Sequence, residues 1–321
     1  MMKLLGAFLR LIRWPNLFFI GLTQFLFYYC ILLPSFHYSR LQEYQNVLYP
    51  SAFFLLSLSS VLIAAAGYII NDYFDLNIDR VNKPEKIVVE KLIKRRWTIV
   101  WHWILSGIGV LLGFYLSWEL RNIFVGLANL ICVLLLWFYS TSFKRKLLIG
   151  NIIIALLTSW VVLVLYLCEF RLHRLVEPVY KQILSRVYKL SVLYASFAFI
   201  TSLVREVIKD MEDVVGDRRY GCRTMPIVWG MNVSKVFTGV WLTVLIFALV
   251  VVQVYVLQYR WWWSIAYALM LIILPLLVIL RRLYAAVSTK DYHDLSTLVK
   301  GVMLAGILSM VFFKLYSSWV A

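Results

Sequence analysis

Nine times along its length this chain repeats one pattern, an apolar run of about 20 residues followed by a polar stretch. The runs fall at roughly 17–33, 51–70, 99–117, 122–140, 147–168, 188–204, 236–258, 261–280 and 298–318. A helix needs about 20 apolar residues to cross a ~30 Å hydrocarbon core, so each run is long enough to span a membrane. A large soluble helical core does not account for nine such runs. The pattern predicts an all-α integral membrane protein with nine transmembrane helices in one bundle, and a single domain over residues 1–321, because no Ser/Gly-rich linker or low-complexity tract interrupts it. The first run follows Arg13-Trp14-Pro15 and no small-residue cleavage site comes after it, so a true first span is expected rather than a cleaved signal.

Composition agrees: 63% hydrophobic residues, 15% charged and a mean hydropathy of +0.82. The formal net charge of +16 invites a nucleic-acid reading until the basic residues are sorted by loop. With a cytoplasmic N-terminus, that side collects Lys3, Arg10 and Arg13, seven from Arg80 to Arg96, three from Lys144 to Lys146, six from Arg205 to Lys235 and four from Arg281 to Lys300. That is 23 of 32, the bias of the positive-inside rule. The surplus therefore orients the protein in a cell (inner) membrane, C-terminus outside, facing anionic lipid or substrate phosphate; no nucleic acid and no protein partner is implied. The four cysteines form no C-x-x-C pair, so neither a disulfide framework nor a zinc site is indicated. Trp261-Trp262-Trp263 reads as an interfacial aromatic belt.

The chemistry is concentrated in the acids. Six of the eight aspartates form two clusters of identical spacing, Asp72/Asp75/Asp79 and Asp210/Asp213/Asp217. On a helix, positions i, i+3 and i+7 lie within roughly 60° of one another, so each cluster presents three carboxylates to one side. Each follows an apolar run, precedes a basic stretch and falls at the same membrane face. The surrounding polar stretches, 73–96 and 205–235, are expected as loops. Converging carboxylates at a membrane face repel one another unless a cation joins them. Magnesium, held by one or two carboxylates plus substrate phosphate oxygens, removes that penalty, and Asn71 adds a neutral oxygen. Ordinary helix-end acids would explain one cluster but explain two matched ones poorly. Lys144 and Arg145, after Tyr139, and Arg205 and Lys209, beside the second cluster, supply cations for an anionic substrate. A metal-bridged anion site beneath apolar helices suits a diphosphate on a hydrocarbon tail, an isoprenyl diphosphate. Leaving diphosphate would be stabilised by metal and basic groups, and the allylic cation shielded from water. A membrane transporter is a rival from another class, but its acids would sit near mid-membrane. Enzymes that join CDP-activated head groups to alcohols need a Gly and Ala-Arg between the acids, which neither cluster has. A scaffold role leaves the six carboxylates unexplained.

These residues resemble the UbiA superfamily of intramembrane prenyltransferases. The matches are Asn71-Asp72-x-x-Asp75-x-x-x-Asp79 after run two, Lys209-Asp210-x-x-Asp213-x-x-x-Asp217 after run six, Tyr139-Ser140 with Lys144-Arg145 after run four, Arg13-x-Pro15-Asn16, and Gly150-Asn151. The resemblance covers nearly the whole chain. It implies a bundle around a central cavity with a cytoplasmic-side active site, and two magnesium ions held by Asn71, Asp72, Asp75, Asp210, Asp213 and Asp217. It also implies diphosphate contacts from Lys144, Arg145 and Arg205, and Tyr139 at the reacting centre. Asp79 either binds metal or orients Arg80 or Lys83. Arg80, Lys83 and Lys209 are further substrate-side candidates, and Asn16 either faces the cavity or starts the first helix. Within the family, the stretch from Arg205 to Asp217 with Gly221-x-x-Thr224-x-Pro226, and Asn82-Lys83-Pro84-Glu85, look like the branch of digeranylgeranylglyceryl phosphate and chlorophyll synthases. The pattern departs at Lys86-Ile87, where Arg-Pro is common, and at Glu90, near a usual Gly. The implied reaction moves a prenyl group from a polyprenyl diphosphate to a lipophilic acceptor. A prenylglycerol phosphate is favoured, and an aromatic quinone precursor, such as 4-hydroxybenzoate or 1,4-dihydroxy-2-naphthoate, is the alternative.

Overall fold

A computed structural model describes residues 2–37 and 47–317. Among them, nine helices are long and apolar enough to cross a membrane: Trp14–Phe36, Pro50–Asn82, Arg95–Glu119, Ile123–Thr141, Ile149–Glu169, Pro178–Glu212, Met231–Leu257, Trp262–Ala285 and Thr289–Tyr316, spans one to nine. The protein is an all-α integral membrane protein. Residue 318, the last of the ninth expected run, lies outside the described residues.

Spans two and six run well past their apolar runs, to Asn82 and Glu212. At 1.5 Å per residue, their 33 and 35 residues reach about 50 Å, so both project out of a ~30 Å hydrocarbon core. Residues 73–82 and 205–212, expected in loops, are therefore helical. Apolar periodicity marks where lipid ends, not where the helix ends. The backbone bonds close within the helix whatever the side chains, and cations from neighbouring elements meet the acids.

Short connections at 120–122 and 142–148 make spans three, four and five consecutive neighbours. Small residues let spans two to four approach closely: Gly109 faces Ile63, Gly113 faces Asn129 and Gly67 faces Leu136. Ser59 ties these three spans together, donating to the Gly109 carbonyl (2.7 Å) and accepting from Asn129 Nδ2 (2.8 Å). At the end remote from the acids, Tyr28 stacks on Phe53 at 4.1 Å within a core that includes Leu116, Leu165 and Tyr180. A second core joins spans six to nine through Val207, Leu242, Leu276 and Val299.

Candidate active site

The spans enclose a cavity of about 1240 Å³, and both acid clusters face it. Asn71, Asp72, Asp75 and Asp79 line it from span two, and all four ride one continuous helix. The second cluster departs from the expected single helical face. Asp210 belongs to span six, which ends at Glu212, while Asp217 sits in a separate short helix, Val214–Arg219. The cause is Asn82, the last residue of span two. Its amide donates to the Asp213 carbonyl (3.1 Å) and accepts from the Gly216 N–H (2.9 Å), folding the chain back against span two. A Cβ at 216 would run into the Asn82 amide, so a larger residue there requires that side chain to shift.

Cations and amides from other elements meet the acids. Lys144, on the connection after span four, bonds Asp75 and reaches Asn71 Oδ1 at 3.4 Å. Asn71 donates to Asp75 at 2.7 Å. Lys83 pairs with Asp213 (2.8 Å) and Glu212 (3.6 Å), Arg13 with Asp72 (2.6 Å), and Asn151 donates to Asp210 (2.8 Å). Burial opposes the charges on Lys144 and Lys83, but Asp75 and Asp213 outweigh it and raise both pKa values. Asp72 likewise raises Arg13. Burial pushes Asp217 up to about 6 against the pull of Lys144. Arg13 adopts a left-handed backbone (φ 51°) at the bend between helix Met2–Leu11 and span one, the strained kind of position a functional contact can sustain.

Among the described residues, no three His, Cys, Asp or Glu side chains come together as a ready-made metal group. The carboxylates instead line the cavity without forming such a group. That suits magnesium, which takes one or two carboxylates and completes its octahedron with water and phosphate oxygens. The ammonium of Lys144 between Asn71 and Asp75 marks a place where these hard oxygen donors already draw a cation.

Tyr139, Asn16, Lys83, Arg205 and Lys209 also line the cavity. Arg80 and Arg145 are not among its lining residues. Arg80 pairs with Glu90 at 2.7 Å, and the backbone carbonyl of Arg145 accepts from Arg223 N at 2.8 Å. Glu206, Glu212, His293 and Lys300 line the cavity as well, although sequence reasoning placed none of them at the site. Each is a single ionisable residue without a repeated spacing, so no local signal singled it out. Beyond the polar mouth the walls turn apolar, with Ile63, Ala64, Leu136, Ile154, Leu157 and Val161.

Residues 31–298 match the UbiA prenyltransferase family. A digeranylgeranylglyceryl phosphate synthase from Methanothermobacter thermautotrophicus is 34% identical over 58% of this chain, and the match spans 60% of that protein's length. Among solved structures, a digeranylgeranylglyceryl phosphate synthase superimposes with a TM-score of 0.60 at 25% identity, covering 97% of this chain and 99% of the other. A UbiA homologue from Archaeoglobus fulgidus bound to DMAPP and Mg2+ shares the fold, with a TM-score of 0.53 at 17% identity over 95% of this chain and 99% of that one.

Proposed function

This chain belongs to the UbiA prenyltransferase family, and from that premise we propose that it is a magnesium-dependent intramembrane prenyltransferase of a single domain. It would move a prenyl group from a polyprenyl diphosphate to the hydroxyl of a phosphate-bearing prenylglycerol, forming an ether lipid. The observation that carries this reading is the convergence of two aspartate clusters and Lys144 on one cavity whose deeper walls are apolar.

Asn71, Asp72 and Asp75 on one side, with Asp210, Asp213 and Asp217 on the other, would hold two magnesium ions. When bound, these would neutralise the diphosphate and stabilise its negative charge as it leaves. The protein's own groups do the rest. Lys83 and Lys144, already drawn into the clusters, turn point charges toward the departing phosphate oxygens. As the C1–O bond to diphosphate breaks, positive charge develops on the prenyl carbon. The Tyr139 ring and the aliphatic walls keep water from that carbon while the acceptor hydroxyl closes on it. A new C1–O bond forms, and diphosphate and the hydroxyl proton are released. The positive-inside bias supports placing the acid-bearing face in the cytoplasm, with the N-terminus inside and the C-terminus outside a cell membrane.

The test is transfer of label from radiolabelled geranylgeranyl diphosphate by purified protein, offered geranylgeranylglycerol phosphate in one reaction and aromatic quinone precursors in another. Labelled ether lipid that disappears with EDTA is the expected result. Labelled aromatic product would keep the enzyme class and reject the acceptor, and no transfer to either would reject the reading. Asp72→Ala and Asp210→Ala should each abolish diphosphate release; full activity in either would rule out the two-cluster site.

A further inference from the structure

Below the acid rim, the same cavity carries a second charged group that the reaction at the aspartates does not use. Lys300 of span nine donates to Asn16 Oδ1 of span one at 2.8 Å and lies 5.1 Å from the Phe19 ring centre. No carboxylate pairs with it among the described residues. Two contacts set the register of spans six and nine: His293 Nδ1 to Glu212 Oε1 at 3.0 Å and Tyr194 to Ser309 hydroxyls at 3.0 Å. The helices are antiparallel, and the register puts Lys300 level with Arg205. Arg205 and Lys209, one turn apart on span six, share a single carboxylate, Glu206, at 3.1 and 3.4 Å. Arg205 Nε is buried and has no hydrogen-bond partner among the described residues.

Lys300 and Arg205 thus carry positive charge against a single acid, Glu206, which Lys209 also shares, on the stretch of span six that lies beyond its apolar run. Partly buried charge of this kind is costly unless an anion answers it. Arg205 precedes Asp210 by five residues of span six, which at 1.5 Å per residue is about 7.5 Å deeper along the helix axis, whereas Lys209 stands beside Asp210. A diphosphate held at the aspartates is therefore served by Lys83 and Lys144, and the deeper cations are left for another anion.

We propose that Lys300 and Arg205 form a separate subsite for the phosphomonoester of the acceptor lipid, with Lys300 as the residue that makes the enzyme prefer a phosphorylated acceptor. The inference rests on the prenyltransferase reading and deepens it. A dianionic headgroup matches the two cations, Lys300 and Arg205. Its seat one to two turns below the donor diphosphate brings the acceptor toward the donor's reacting carbon rather than against its phosphates.

The experiment compares kcat/KM for geranylgeranylglycerol phosphate and for the same lipid without its phosphate, in wild type, Lys300→Met, Lys300→Gln and Lys300→Arg. Lys300→Gln keeps a donor for Asn16 and separates lost charge from a lost contact between spans. The preference for the phosphorylated acceptor should fall at least tenfold in Lys300→Met and Lys300→Gln and return in Lys300→Arg. An unchanged preference ratio in Lys300→Met overturns the subsite. Equal loss on both acceptors also overturns it, because a merely structural lysine would behave that way. A wild-type enzyme that transfers to neither lipid, nor to an aromatic acceptor, overturns the prenyltransferase reading itself, and the subsite with it.

Discussion

Lys144 and Asp75 are the pair on which the mouth of the cavity turns. Asp75 is nearly buried, with a side chain 6% exposed, whereas Lys144 keeps 30% exposure. Removing the lysine leaves a buried carboxylate with only Asn71 beside it; removing the acid leaves a lysine that water still reaches. Lys144→Met should therefore cost more than Asp75→Asn, about 2 kcal/mol after allowance for exposure, against 3–5 for a fully buried pair. Asp75→Asn/Lys144→Met should be more stable than Lys144→Met alone, as read from thermal unfolding in detergent, although it should be as inactive as either single variant. Additive losses in the cycle would mean that the two groups do not act as a pair. Glu90 shows what a departure from the family pattern means physically. It stands near a position usually held by Gly, and its φ of 67° is the left-handed conformation that glycine adopts without cost. The ion pair to Arg80, near the end of span two, helps hold it there.

At the scale of elements, the site depends on how span two ends. Asn82 caps the turn after span six through two hydrogen bonds, and Gly216 passes against its amide. Gly216→Ala should push the second cluster away from the first and lower kcat at least tenfold. Asn82→Ala should also lower it by removing both bonds, worth about 1–3 kcal/mol when a buried partner is left unsatisfied. Because Asn82→Ala opens the space that a Cβ at 216 needs, the double variant should be no worse than the poorer single one, a non-additivity of the kind seen between touching residues. Strictly additive effects would show that the two residues act independently. This junction also marks what could be read from the chain before its fold. The repeated i, i+3, i+7 spacing exposed both acid clusters, because helical periodicity is local. It did not foresee that the second would break after Asp210, since the cause lies 131 residues away in Asn82. Lys300 was legible only as one more positive charge on the cytoplasmic side. Its partner Asn16 is 284 residues distant, and only the packing of span nine on span one brings them together.

For the molecule as a whole, the odd number of spans and the two over-long helices define a polarity. Spans two and six both deliver their polar ends, with the acids, to the same face. The connections from Lys83 to Lys94 and from Asp213 to Gly230, and the start of span nine, must then share that face, while residue 177, opening span six, and residue 258, closing span seven, lie opposite. The lysine and arginine bias is the ground on which we propose that the acid face is cytoplasmic. Single cysteines placed at the exposed positions Arg219, Lys290 and Gln258 and at the half-buried Glu177 test this directly, because three of the native cysteines are buried and Cys132 is half-buried, so background labelling should be low. Burial also pushes the Cys222 thiol up to about 11, which keeps it protonated and slow toward maleimides. A membrane-impermeant maleimide added to intact cells should reach Glu177→Cys and Gln258→Cys, and should reach Arg219→Cys and Lys290→Cys only after the membrane is opened. The reverse pattern would invert the protein without changing its fold. Labelling of Arg219→Cys and Glu177→Cys from the same side would contradict span six itself, because a 35-residue helix separates them. The first outcome would also tell which side must supply the diphosphate lipid, since the donor's charged head has to reach the aspartates from the face where they stand.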